Sequence, residues 1–178
     1  MVVASREGRK KKQNGVSGFT EWKQEVMRLL INDNELSKLL TYRTEDCLSK
    51  PNLTDDEKED LINSSVYGYR YIPDVAEDQK AYVSLSLSNF VPQEGFRQFS
   101  DDYVHGYLFF YILVDTAIIN TDEGYRNDLI LARIYDIFQG RKNVIGMGEL
   151  RMEACNELWQ HSNKFGGYTL GFRLTDMK

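Results

Sequence analysis

Four side chains could supply a nucleophile and a base: Cys47, Cys155, His105 and His161. A thiol with a neighbouring imidazole is a common covalent arrangement. No spacing unites these four, so a small buried cysteine and a surface histidine are the plainer expectation. Two cysteines and two histidines also fall short of a four-cysteine or histidine-rich zinc site. Carboxylate pairs occur at Asp55-Asp56, Asp101-Asp102 and Asp122-Glu123. The first and last precede helical patterns, where negative charge offsets the positive helix end. Metal-dependent hydrolysis would want carboxylates on strands near a lysine. Asp115 and Glu149 are the candidates, but Glu149-Leu150-Arg151 carries arginine at the lysine position. Gly146-Met147-Gly148 lacks the third glycine of a dinucleotide loop, Gly166-Gly167 lacks phosphate-loop spacing, and no Gly-x-Ser-x-Gly occurs. No catalytic, cofactor-binding or metal residue is assigned, and no cofactor is expected.

The residues that remain suit contact rather than reaction. Of 178 residues, 42% are hydrophobic and 28% charged, which excludes a disordered or membrane-embedded chain. Arg6, Arg9, Lys10, Lys11 and Lys12 against Glu7 give residues 1–15 a charge of +4, so the rest of this −5 chain carries −9. An acidic body is a poor wrapper of DNA. The basic run is expected to be a solvated arm that could touch phosphates. It is followed by Gln13-Asn14-Gly15, not by the apolar stretch of a secretory signal. The longest apolar run, Tyr107 to Val114, is short of the roughly 20 residues of a spanning helix. A cytosol-like compartment with free thiols follows as the expectation. Tyr67, Tyr69, Tyr71, Phe96 and Phe99 fall outside the best core stripes. They suit protein–protein contact or, equally, satellite packing under loops.

Residues 1–17 read as the arm and 18–178 as one domain. Phe19, Trp22, Val26, Leu29, Leu30, Leu36, Leu39 and Leu40 recur at helical spacing, with Ser17 or Thr20 as a cap, a break at Asn32-Asp33-Asn34, and Asn34 capping the second piece. Thr54 to Glu57 fits a capping box opening a helix over 55–63. Tyr67 to Pro73 reads as extended. Ala81 to Phe90 alternates Val83, Leu85 and Leu87 with Ser84, Ser86 and Ser88, whose face should meet solvent or a polar neighbour. A loop over 91–103 follows. His105 to Ile118 is apolar on both faces and reads as a central strand covered on both sides. A helix over 125–138 offers two stripes, of which Leu129, Ala132, Tyr135 and Phe138 is the better core face, with Gly140 just past its end. Leu150, Met152 and Ala154, then Tyr168, Leu170, Phe172 and Leu174, alternate as an antiparallel pair. The class is α+β: a mostly antiparallel sheet packed against one long helix, with an N-terminal helical segment and the basic arm.

Several stretches together resemble the tail terminator proteins of tailed bacteriophages, also called tail completion or head-to-tail joining proteins. They are Leu113-Val114-Asp115, Gly124-Tyr125-Arg126, Ile134 to Phe138 and the closing Gly167 to Asp176. Leu29 to Leu40 is similar to the opening helix of phage neck proteins, while the arm and residues 41–80 depart from the shorter members. The resemblance implies a virion structural protein without catalysis. It implies a closed, hexameric ring of copies that caps the tail tube and docks to the head-tail connector or stopper, with DNA passing through the lumen unbound and no membrane involved. Loops 67–71 and 91–103 would carry contacts, and the arm could order across an adjacent subunit. Alternatives are another connector subunit, a small phage nuclease using Asp115 and Glu149, or a DNA-binding regulator using the arm.

Overall fold

The computed structural model describes residues 18–76, 79–92, 103–144 and 148–177. α1 (Phe19–Asn32) forms because Trp22, Val26 and Leu30 recur every fourth residue and all are buried, with Ile31 beside them. Gly18 precedes it and no side chain caps it, so Thr20 is not used as predicted; Ser17 lies outside the described residues. The break at residues 32–34 is present, but Asp33, not Asn34, caps α2 (Asn34–Thr41): its Oδ1 accepts from Leu36 N–H at 2.8 Å. The same carboxylate binds Arg133 at 2.5 Å, so one side chain starts a helix and ties it to another. The capping box of α3 (Asp55–Glu59) is formed, with Glu57 Oε2 accepting from Thr54 N–H at 2.7 Å. That helix stops short of Asn63, which turns the chain at φ 62°.

The expected extended segment after it contracts to β1 (Val66–Tyr67). β2 (Ala81–Pro92) and β3 (Tyr103–Asp115) follow, and Asp115 Oδ1 caps the short 3₁₀ turn Thr116–Ile118 by accepting from Ala117 N–H at 2.9 Å. A small hairpin, β4 (Asn120–Thr121) and β5 (Gly124–Tyr125), leads into α4 (Arg126–Phe138). β6 (Arg151–Gln160) and β7 (Phe165–Met177) close the chain. The sheet order is β1-β2-β3-β7-β6, antiparallel except for β1 beside β2. The architecture is therefore α+β, as the sequence predicts.

Helices cover one face of this sheet. Leu85, Leu108, Phe110, Ile112, Val114, Leu170 and Phe172 have no exposure there, and Phe110 meets Phe138 at 4.9 Å. Burying a side chain of that size stabilises by about 1.5–3 kcal/mol. The core stripe of α4 is Ile130, Ile134 and Phe138; Tyr135 and Ala132 face outward, against the sequence expectation. The reason is Arg126, which must point inward and sets the helix's rotation. The left-handed residue past α4 is Gly140, φ 71°, as predicted. At the β3–β7 seam a Cβ on Gly167 would stand 2.0 Å from the Ile112 carbonyl oxygen, so no larger residue fits. The β6–β7 turn holds three successive non-glycine residues at positive φ: His161 at 52°, Ser162 at 53° and Asn163 at 70°. His161 Nε2 bonds the Pro73 carbonyl at 2.7 Å, and Lys164 Nζ donates to the Val75 carbonyl, strapping residues 73–75 across the end of the sheet.

Arg126 is fully buried, and among the described residues it has no carboxylate partner. Its Nε donates to Ile118 O at 2.8 Å, Nη1 to Leu39 O at 2.9 Å and Tyr42 O at 2.7 Å, and Nη2 to Thr44 O at 3.0 Å. Burial pushes its pKa below the usual arginine value. A cation in the first turn opposes its own helix dipole, but it sits at the carbonyl end of α2, where the dipole favours it. Arg126→Met should destabilise the protein by at least about 3 kcal/mol in urea unfolding, because several buried carbonyls lose their donors. Arg126→Lys should recover only part of that, since one ammonium cannot span carbonyls on two sides.

Candidate functional site

The residues proposed for chemistry do not converge. Asp115 and Glu149 stand at opposite ends of the sheet, separated by the length of β7 from Phe165 to Arg173, about 26 Å. Asp115 is buried and turned into its cap, with Lys164 Nζ at 3.8 Å; Glu149 binds Arg151 at 3.1 Å and Lys142 at 3.6 Å, and these cations hold its carboxyl below the usual range. Cys47 is buried, Cys155 is exposed on β6, and His161 lies on the turn beyond that strand. Among the described residues no group of three or more His, Cys, Asp and Glu could hold a metal ion, and no helix is long and apolar enough to cross a membrane.

What the fold presents instead is a sheet whose second face is lined by half-buried aromatic rings. Because β3 alternates, Leu108, Phe110, Ile112 and Val114 enter the core while Tyr107, Phe109 and Tyr111 line the other face. Those three rings are half-buried, so the second face is partly covered by the described residues alone. At one end of that face Tyr67, Tyr82, Leu113 and Phe165 form a second cluster with Tyr71 and Leu158. Tyr67 stacks on Tyr71 at 3.9 Å and is 8% exposed, so its ring is packing; Tyr69 is 55% exposed. Beyond this cluster the three β3 rings run side by side, with centroids 5.7 and 6.5 Å apart. Ser86 Oγ lies 3.3 Å from Tyr111 OH, while Ser84 is buried rather than facing solvent. Arg70 sits 4.9 Å over Tyr111, and Tyr107 OH donates to Glu153 at 3.0 Å, a contact that raises the phenol's pKa. Phe96, Phe99, Arg6, Arg9, Lys10, Lys11 and Lys12 lie outside the described residues.

The second exposed feature is β6. Among the described residues only β7 pairs with it. The ladder's alternation is anchored by Thr116 N–H donating to the Lys164 carbonyl, and Met152 N–H turns outward to Gln139 Oε1 at 2.9 Å. Cys155, Glu157 and Trp159 therefore aim their backbone N–H and C=O groups away from the sheet. A bulge between Met152 and Ala154 breaks the predicted alternation and puts Met152 and Cys155 together on the helical side. There they line a groove of about 250 Å³ with Leu131, Ala132 and Tyr135 of α4, beside Asp128 and Asp136. Desolvation raises the Cys155 thiol pKa. Trp159, 47% exposed, lies against Gly166, where a Cβ would come within 2.5 Å of the ring. Sequence reasoning missed this edge and the β3 stripe. The stripe's signal was the spacing of Tyr107, Phe109 and Tyr111 opposite serines; the edge has no sequence signal, because strand order is not written locally.

A family model described as YomW matches residues 33–174. No curated protein matches the chain.

One titration reports on the groove wall. Tyr168 OH donates to Asp128 Oδ1 at 2.7 Å, and this bond, with burial, pushes the phenol up to about 12. The neutral phenol is thus favoured in the folded state. Its contribution to stability is complete below the unfolded value near 10 and is lost as pH rises through about 12. Tyr168→Phe should flatten the fall in stability across that window, measured by urea midpoints at a series of alkaline pH values.

Proposed function

The chain belongs to the YomW family, named after a gene product of an SPbeta-like prophage of Bacillus, and from that phage derivation we propose that it is a structural virion protein of the neck. It acts as a tail terminator: copies close into a ring, a hexamer in this reading, that caps the tail tube and joins it to the head-tail connector or stopper. DNA passes through the lumen without specific binding, and assembly takes place in the host cytoplasm. The observation that carries this reading is the sheet itself. Among the described residues helices pack on one face, half-buried aromatic rings line the other, and β6 pairs on one side only, with β7. Such surfaces suit burial against protein, where Tyr and Trp contribute most per residue. The residues that could have formed a hydrolytic or thiol site are spread over the fold, which favours assembly over reaction. The −9 body gives a conduit that repels phosphates rather than gripping them.

Mass photometry and negative-stain microscopy of the purified full chain test it. The expected outcome is a concentration-dependent step from monomer to one closed ring, with the protein found at the head–tail junction of intact particles. A monomer at every concentration, with no copy in purified particles, would sink the reading.

A further inference from the structure

An unpaired strand edge specifies its partner more narrowly than an apolar patch does, because its outward N–H and C=O groups are satisfied in register only by another extended backbone. β6 offers such groups at Cys155, Glu157 and Trp159, and from Ala154 to Gln160 it carries neither proline nor lysine to blunt pairing. Side chains of an added strand would alternate. Every second one would lie on the helical side, over the groove of Leu131, Ala132, Tyr135 and Cys155, and would have to be apolar and small. The surroundings are acidic: Glu157 sits on the edge strand without a cationic partner among the described residues, and Asp128, which accepts from the Tyr168 phenol, lines the groove beside the Arg133-paired Asp136. Arg133, the nearby cation, is already taken by Asp33 and Asp136.

One segment of this chain has that chemistry. Residues 1–17 open with Met1-Val2-Val3-Ala4, short, apolar and partly β-branched, and continue into Arg6, Arg9 and Lys10 to Lys12. They are joined to α1, which packs beside β1: the Met27 methyl lies 3.2 Å from where a Cβ on Gly68 would be. That is the opposite edge of the sheet from β6, about 19 Å away across four interstrand gaps. Seventeen residues reach about 56 Å extended. The same reach spans the distance to the chain's own β6; placed on a neighbour's β6 instead, the contact runs head to tail, the kind that closes into a ring.

We propose that residues 1–5 of one copy add as a strand to the β6 edge of its neighbour, with the basic run that follows held by the acidic groove. The inference rests on the ring reading and names its interface.

Single cysteines placed at Val2, Val3, Ala4 and Ser5 of the full chain, oxidised with diamide at alkaline pH, test it, with the exposed Cys155 as acceptor and Cys47 buried. The expected result is cross-linked dimers and a ladder on non-reducing gels, strong at alternate positions and weak between them, abolished by Cys155→Ser. Glu157→Pro removes an outward N–H while leaving the bonds to β7, and should cut the yield about tenfold with the circular dichroism unchanged. Equal yield at all four positions would mean a tether rather than a strand. Cross-links confined to the monomer band would mean the segment folds onto its own edge. Either result overturns the proposal. Rings in mass photometry without cross-links would overturn the arm contact and leave the ring reading standing; monomers throughout would remove both.

Discussion

A buried guanidinium held by four backbone carbonyls fixes how the helical layer lies on the sheet. Arg126 gathers Leu39, Tyr42 and Thr44 from the end of α2 and Ile118 from the turn after β3, so three parts of the chain meet at one side chain. Taking that charge out of water is costly, and a buried cation missing even one of these partners would be hard to keep. The donors fan out in a plane, so the carbonyls must converge at set angles. The rotation of α4 follows. With Arg126 inward, Ile130, Ile134 and Phe138 are inward too, and Leu131, Ala132 and Tyr135 are left on the side that faces β6. The groove beside the edge strand is thus a consequence of where one arginine points.

The two faces of the sheet answer to different demands. On the helical face Phe110, Phe138 and Phe172 interlock at 4.9 to 6.2 Å, a packing that tolerates little change in volume. On the other face small residues sit beside large ones: Gly171 lies beneath Phe109, where a Cβ would come within 2.8 Å of the ring. Glycines in β7 weaken a strand in isolation. Here they let β3 aromatics lie close to the backbone, and the sheet keeps its register through thirteen paired positions between β3 and β7. A row of half-buried aromatic rings results on that face.

Much of this layout was legible in the residues. Capping at Thr54, the break at residues 32–34, the serine–aliphatic alternation of β2 and the glycine after α4 each rest on local chemistry, and each appears in the fold. The misreadings share a different cause. Counting apolar residues on α4 favours the stripe through Tyr135, and nothing local reveals that a charged residue in the first turn will be buried. Asp33 outcompetes Asn34 as a cap because Arg133, a hundred residues away, rewards a carboxylate there. The bulge at residues 152–154 brings Met152 and Cys155 onto one face, where simple alternation would set them on opposite ones. Of the candidate contact residues, Tyr69 is exposed and Tyr67 is not, a division made by stacking on Tyr71 that spacing by twos does not contain.

The turn between β6 and β7 carries a cost of its own. Side chains with a Cβ dislike left-handed backbone by about 1–2 kcal/mol each, and His161, Ser162 and Asn163 adopt it in succession. They stay because His161 and Lys164 hold the carbonyls of Pro73 and Val75. The dependence runs both ways: a protease nick near Pro73 would release the hairpin tip, and the loosened tip would let β6 slip along β7. The edge strand is in this way latched, through its turn, by the stretch around residues 73–75.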